Sequence, residues 1–159
     1  MNAVVIFAVL LIGFAAGLRG LTPPAVIAWL AYLGWISLAN TPFSFISSPI
    51  MVAGFSVLAM GEYVWDLLPN TPSRTAAPGL ISRILTGAFA AACLLAGTNN
   101  GLGFFILGAL AAIAGAFTGL QIRVRLVRAL AVNDAFVAIP EDLIAVGLSI
   151  FAVCIAVSR

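Results

Sequence analysis

The chain has 159 residues, 64% hydrophobic and only 8% charged, with a formal net charge of +2 and a mean hydropathy of +1.22. A soluble domain carries roughly 25% charged residues, so these values exclude a water-soluble fold and indicate an integral membrane protein. The sequence has no His and no Lys, which removes Ser-His and Cys-His catalysis, histidine metal sites and the phosphate-loop lysine, and its seven scattered arginines make no nucleic-acid footprint.

In chain order, the first apolar segment is Asn2 to Leu18. It lacks a basic leader and a cleavage-like site, so it reads as a retained membrane helix rather than a signal peptide. It stops at GLRGLTPP, Gly17 to Pro24, where two prolines must open the backbone. Open backbone at membrane depth is tolerated only against protein or water. Arg19 there would meet an anion or a buried carboxylate, or else lipid phosphate at a simple interfacial turn. Segment two, Ala25 to Ala39, offers 15 residues. That is about 22 Å of helix against a ~30 Å core, so it reads as re-entrant or interfacial.

Segment three starts at Pro49, a residue suited to a first helical turn, and is expected to end near Leu68. It carries Glu62 and Asp66, which share a face at i, i+4. An ionised acid at the bilayer centre costs roughly 2.5–3.5 kcal/mol. Pairing with arginine, binding a cation or protonation would each relieve it. Arg83 is the nearest arginine by connectivity, across the polar loop NTPSRTAAPG. Segment four is Leu80 to Thr98, ending at TNNG, and segment five is Leu102 to about Leu120. Segment six, Gln121 to Ala138, carries Arg123, Arg125, Arg128 and Asp134 and reads as a second poor span. Segment seven is Pro140 to Val157. Glu141 and Asp142 would occupy its first turn, where acids suit the helix dipole or could join the other carboxylates around a cation.

An internal echo runs through these segments. GFAAGLR (13–19) is matched by GAFTGLQ (115–121), and VAGFSVLA (52–59) by AVGLSIFA (145–152). The expected fold is therefore all-α and membrane-embedded, one domain over residues 1–159. It has five to six transmembrane helices plus short re-entrant or interfacial helices. Its repeat-like halves, 2–69 and 102–158, are joined by helix 80–98. They are inverted if segments two and six do not cross, and parallel if segment two does. Arg74, Arg83, Arg123, Arg125 and Arg128 fall on one side under either count. By the positive-inside rule that side is cytoplasmic and the C-terminus lies outside. The glycine faces, Gly13 with Gly17 and Gly115 with Gly119, read as helix-packing surfaces that could also form a homodimer. Cys93 and Cys154 read as small core residues.

Taken together, GLRGLTPP, GEYVWDLLPNTPSR, Arg83 before Thr86-Gly87-Ala88, and PEDLIAVGLS resemble a family of small bacterial multi-pass membrane proteins known only as a domain of unknown function. The matching residues are Gly17-Leu18-Arg19, then Glu62, Asp66 and Pro69, then Arg83, and finally Glu141 and Asp142. The polar loop here is shorter than the acidic stretch of many relatives. The resemblance implies a bacterial inner-membrane protein and supplies no activity. From the residues, the first expectation is a small transporter or channel for an ion or small solute. Its ligand- or ion-binding candidates are Arg19, Glu62, Asp66, Arg83, Glu141 and Asp142. A non-transporting scaffold or partner subunit is the alternative, as is binding or translocation of anionic lipid, with Arg123, Arg125 and Arg128 reading the phosphate. No nucleophile-base pair is visible, so no enzyme, cofactor or nucleic-acid partner is expected beyond the lipid bilayer itself. Whether a metal binds is open.

Overall fold

A computed structural model describes residues 2–66, 74–130 and 134–158. The expected helix end at Leu68, the motif residue Pro69 and the first part of the polar loop lie outside the described residues. Among those described, the regular structure is entirely helical. There are six α-helices: α1 (Ala3–Leu18), α2 (Thr22–Tyr32), α3 (Pro49–Trp65), α4 (Ala77–Gly97), α5 (Phe105–Leu130) and α6 (Asp134–Val157). Short 3-10 turns at Ser44–Ser47 and Leu102–Phe104 precede α3 and α5.

The helix boundaries follow local chemistry. The Asn2 side chain accepts from the Val4 N–H to cap α1, and Ser48 accepts from Met51 to cap α3, with Pro49 as the first helical residue. At the end of α4, Asn99 takes a left-handed backbone at φ 54°. The Asn100 N–H then returns to the Leu95 carbonyl and the Asn99 N–H to that of Ala96. These two bonds satisfy carbonyls that a helix end leaves open.

Among the described residues, three helices are long and apolar enough to cross a membrane: Ala77–Gly97, Phe136–Val157 within α6, and Leu102–Leu130, which joins α5 to its leading turn. Ala3–Leu18 and Pro49–Trp65 are apolar but shorter. Many large apolar side chains face outward while charged ones lie within. Ile50 is 81% exposed, whereas Arg19 is fully buried.

Two expectations about poor spans resolve differently. α2 has 11 residues and covers about 16 Å, well short of the core thickness. It runs antiparallel to α3, with Thr22 bonded to Tyr63 and Trp29 to Ser56. The second poor span does not exist as a separate element. α5 continues unbroken to Leu130, and α6 starts at Asp134 and passes through Pro140. Gln, Arg and Leu are good helix formers, and arginines near a helix C-terminus suit the dipole, so 121–130 extends α5 instead of leaving it. Pro140 therefore does not open the last helix, and Glu141 and Asp142 sit about two turns inside it rather than in its first turn.

The centre of the bundle is a seam between α1, α4 and α5. α1 and α5 run parallel, Gly13 facing Gly108 and Gly17 facing Gly115, while α4 crosses α5 antiparallel through Gly87 and Gly108. A Cβ on Gly17 would lie 2.6 Å from the Ala116 backbone nitrogen, and one on Gly13 would lie 2.7 Å from the Gly108 Cα. Backbones meet there directly, as small residues allow in membrane helices. The glycine faces are thus occupied within the chain, and a second copy would have to use another surface. α3 is placed differently. It packs mainly on α2, and only Val52 and Ala59 along it are buried.

Candidate functional site

The functional geometry begins at the break between α1 and α2. Arg19 has extended backbone (φ −139°, ψ 107°), so the helix ends at Leu18 and restarts at Thr22. The break leaves N–H groups at the start of α2, and Leu21 has no side chain able to cap them. Glu62, from the last turns of α3, does so instead. Its carboxylate accepts the Gly20 N–H at 2.9 Å and the Leu21 N–H at 2.8 Å. On the other side of the break, Arg74 donates to the open Leu18 carbonyl at 3.4 Å. An anion caps the helix start and a cation the helix end, and both signs suit the helix dipoles.

From these two caps the charges extend into one network. Arg83 donates to Glu62 at 3.2 Å and lies 4.0 Å from Asp66. Arg19 pairs with both Asp66 and Asp142, and its guanidinium sits 5.4 Å from the Tyr63 ring centre. Arg74 grips Glu141 through both terminal nitrogens, the Nη2 bond being 3.0 Å. Arg123 stands 3.5 Å from Glu141 and 3.9 Å from Asp66, closing the ring. Gly119 leaves the space for this, because a Cβ there would lie 3.1 Å from both Arg74 and Glu141. Four of the five acids and four of the seven arginines thus meet at one end of the bundle, with formal charges that cancel.

All six sequence-predicted ligand candidates come together here: Arg19, Glu62, Asp66, Arg83, Glu141 and Asp142. Of the three arginines grouped as phosphate readers, Arg123 parts from the others. It is buried in the network, whereas Arg125 and Arg128 are exposed, with no acidic partner among the described residues. Arg74 was missed as a site residue. It lies in a polar loop, and only its neighbourhood to Glu62 and Asp66 in sequence hinted at a role.

The network's chemistry is that of mutual neutralisation. Every carboxylate in it already faces an arginine, and among the described residues no group of three potential ligands is arranged to hold a metal ion. The donors are not all used, however. Arg19 Nη2 and Arg83 Nε are buried without a hydrogen-bond partner among the described residues. A cavity of about 330 Å³ reaches the network beside α3 and α4, lined by Glu62, Trp65, Asp66, Arg74, Ser82 and Arg83.

The family model for a domain of unknown function, DUF4126, matches residues 6–158, nearly the whole chain. The chain belongs to the DUF4126 family. No curated protein and no solved structure matches it. In this DUF4126 chain the break at Gly17-Leu18-Arg19, the Glu62 and Asp66 pair, Arg83 and the Glu141-Asp142 pair are four separate stretches of sequence and one site in space.

Proposed function

We propose that this protein is a multi-pass transporter of a small solute or ion, with the charge network as the closed gate at one end. The supporting observation is that charged side chains from α1, α3, α4, α5 and α6 converge at one level and neutralise one another. Taking one partner from a buried ion pair costs about 3–5 kcal/mol, so such a network holds firmly until a competing charge replaces a partner. A substrate carboxylate or a proton arriving through the 330 Å³ cavity would do this, and the unused donors on Arg19 and Arg83 would receive an anionic group. α3 is the element suited to move, because its apolar contacts are few and its C-terminal charges hold it. A channel is the weaker form of this reading, since the central seam brings backbones into contact and leaves no path along α1 and α5.

In this reading α1, α3, α4, α5 and α6 cross the bacterial inner membrane, and α2, packed against α3 as a half-length helix, returns the chain to the other side together with residues 33–48. The arginine-rich network end is cytoplasmic by the positive-inside rule, which puts Ser158 outside. Asn2 joins it there, because α1 arrives at the network as α6 leaves it. A twofold repetition of halves 2–69 and 102–158 gains support from the parallel pair α1 and α5. It gains none from α3 and α6, which run in opposite senses relative to the network.

The test is charge movement in proteoliposomes adsorbed on a solid-supported membrane, challenged in turn with jumps in pH, sodium, a small carboxylate and a zwitterionic amino acid. Transport predicts a transient current for at least one jump, lost in Glu62→Gln protein that still elutes as a folded species. Silence under every jump favours the second reading, a non-transporting scaffold or partner subunit. The observation behind that reading is the complete neutralisation of the four acids by the chain's own arginines.

A further inference from the structure

The cavity beside α3 and α4 has two kinds of wall. Leu21, Trp65 and Pro78 give it a hydrocarbon side, and Gly79, Ser82 and Arg83 give it a polar side on the first turns of α4. At about 330 Å³ it falls at the small end of ligand pockets, which span roughly 300–1,000 Å³. The polar side carries donors that the described chain leaves unused. α4 starts without a side-chain cap, because Ala76 holds the cap position. Pro78 has no N–H, and the Leu80 N–H returns to the Ala76 carbonyl. The Gly79 N–H is therefore an open donor of the first turn, at the cavity wall. Arg83 is drawn to the same turn. Its Nη1 donates to the Gly79 carbonyl at 3.3 Å and its Nη2 to Glu62. Its Nε has no partner among the described residues, although the residue is only 6% exposed. The carboxylates on the cavity wall are already engaged, Glu62 by Gly20, Leu21 and Arg83, and Asp66 by Arg19.

The cavity thus offers donors and lacks an acceptor. We infer that it is a binding site for a small organic monocarboxylate. The carboxylate takes the Gly79 N–H and Arg83, with the Ser82 hydroxyl beside it, and the body lies against Leu21, Trp65 and Pro78. Open N–H groups and the dipole at a helix start favour a negative charge. One such charge is met by the α4 dipole. A second would go unmatched, because the charges of the network already cancel. An ammonium group would find only carboxylates that arginines already hold. Arg83 also binds Glu62, so a carboxylate arriving on Arg83 competes with the contact that fixes the end of α3. The inference rests on the transport reading for its purpose, since it names the substrate class of that cavity, but binding is measurable without flux.

The experiment is a ligand titration of the full-length protein in nanodiscs at constant ionic strength. It reads the melting temperature, which a ligand held only by the native state raises. Butyrate and benzoate are the probes, and butyramide, butylammonium and inorganic phosphate are the comparisons. Both carboxylates should give a saturable rise and the three comparisons none. The decisive variant is Ala76→Asp, which places a carboxylate at the cap position, where it accepts the Gly79 N–H from within the chain. It should raise the melting temperature of the free protein and weaken the response to butyrate and benzoate several-fold. A protein made more stable cannot have lost binding by misfolding. Absence of a saturable rise with both carboxylates, an equal response to butyramide or butylammonium, or an undiminished response in Ala76→Asp overturns the site. A response to phosphate as strong as that to benzoate overturns the organic ligand. Saturable carboxylate binding with silence in every current measurement would end the transport reading and leave the site standing. Currents for another solute without carboxylate binding would do the reverse.

Discussion

The glycine seam and the charge network lie within one turn of each other on α1, and they hold helices together by opposite means. At Gly13 and Gly17 the chain removes side chains so that backbones touch, and the attraction is dispersion summed over many atoms. At Arg19, two residues past Gly17, it uses the longest polar side chain available and buries it completely. The seam is indifferent to solutes and protons. The network depends on each partner remaining charged and in place. Close backbone packing is therefore concentrated in α1, α4 and α5, and paired charge at the end where Glu62 and Asp66 hold α3.

The sharpest way to break this contrast is Arg19→Ala. It strands Asp142 and leaves Asp66 only the longer contacts to Arg83 and Arg123, and losing one partner of a buried pair costs about 3–5 kcal/mol. The folded fraction surviving a heat ramp in detergent, read by size exclusion, should fall sharply. A melting profile equal to that of the unsubstituted protein would show that the network is ornamental. Gly17→Val comes next, because backbone atoms of α5 cannot yield to the new side chain. Overpacking of this kind costs about 1–3 kcal/mol, while Gly54→Val on the open face of α3 should leave the melting profile unchanged. Glu62→Gln should be milder. The amide oxygen can still accept from Gly20 or Leu21, so the loss is the ionic share of the Arg83 contact, about 1–3 kcal/mol. Glu62→Ala should exceed it, and equal effects would deny the capping role. Least of all should come from Arg125→Gln, an exposed position outside both regions, where no shift in melting is expected.

Much of this was legible in the sequence, for identifiable reasons. Arg83 was paired with Glu62 because a short loop joins their helices, and the pair stands at 3.2 Å. The prolines after Arg19 announced a broken helix, and the break is there. Arginine was one of three ways the sequence offered to neutralise the acids, and each of the four in the network faces one. Tertiary choices were not legible. The arginines of 121–130 read as a poor span because the partner that takes Arg123 out of lipid, Glu141, lies on another helix and local pattern cannot report it. Pro140 looked like a helix start because proline usually is one in soluble helices, yet membrane helices tolerate it in their interior. The two glycine motifs meet only at Gly17 and Gly115, while Gly13 packs on Gly108 and Gly119 makes room for Arg74 and Glu141, so the echo in sequence is not a matched pair of packing faces.

The bond from Glu62 to Gly20 spans 42 positions of sequence, and that separation has a consequence for how the protein is made. α2 leaves the ribosome well before the residue that completes its first turn. Until α3 follows, the amides of Gly20 and Leu21 have no carboxylate, and bare amides are poorly tolerated in hydrocarbon. The break between α1 and α2 is therefore completed only once α3 has been made.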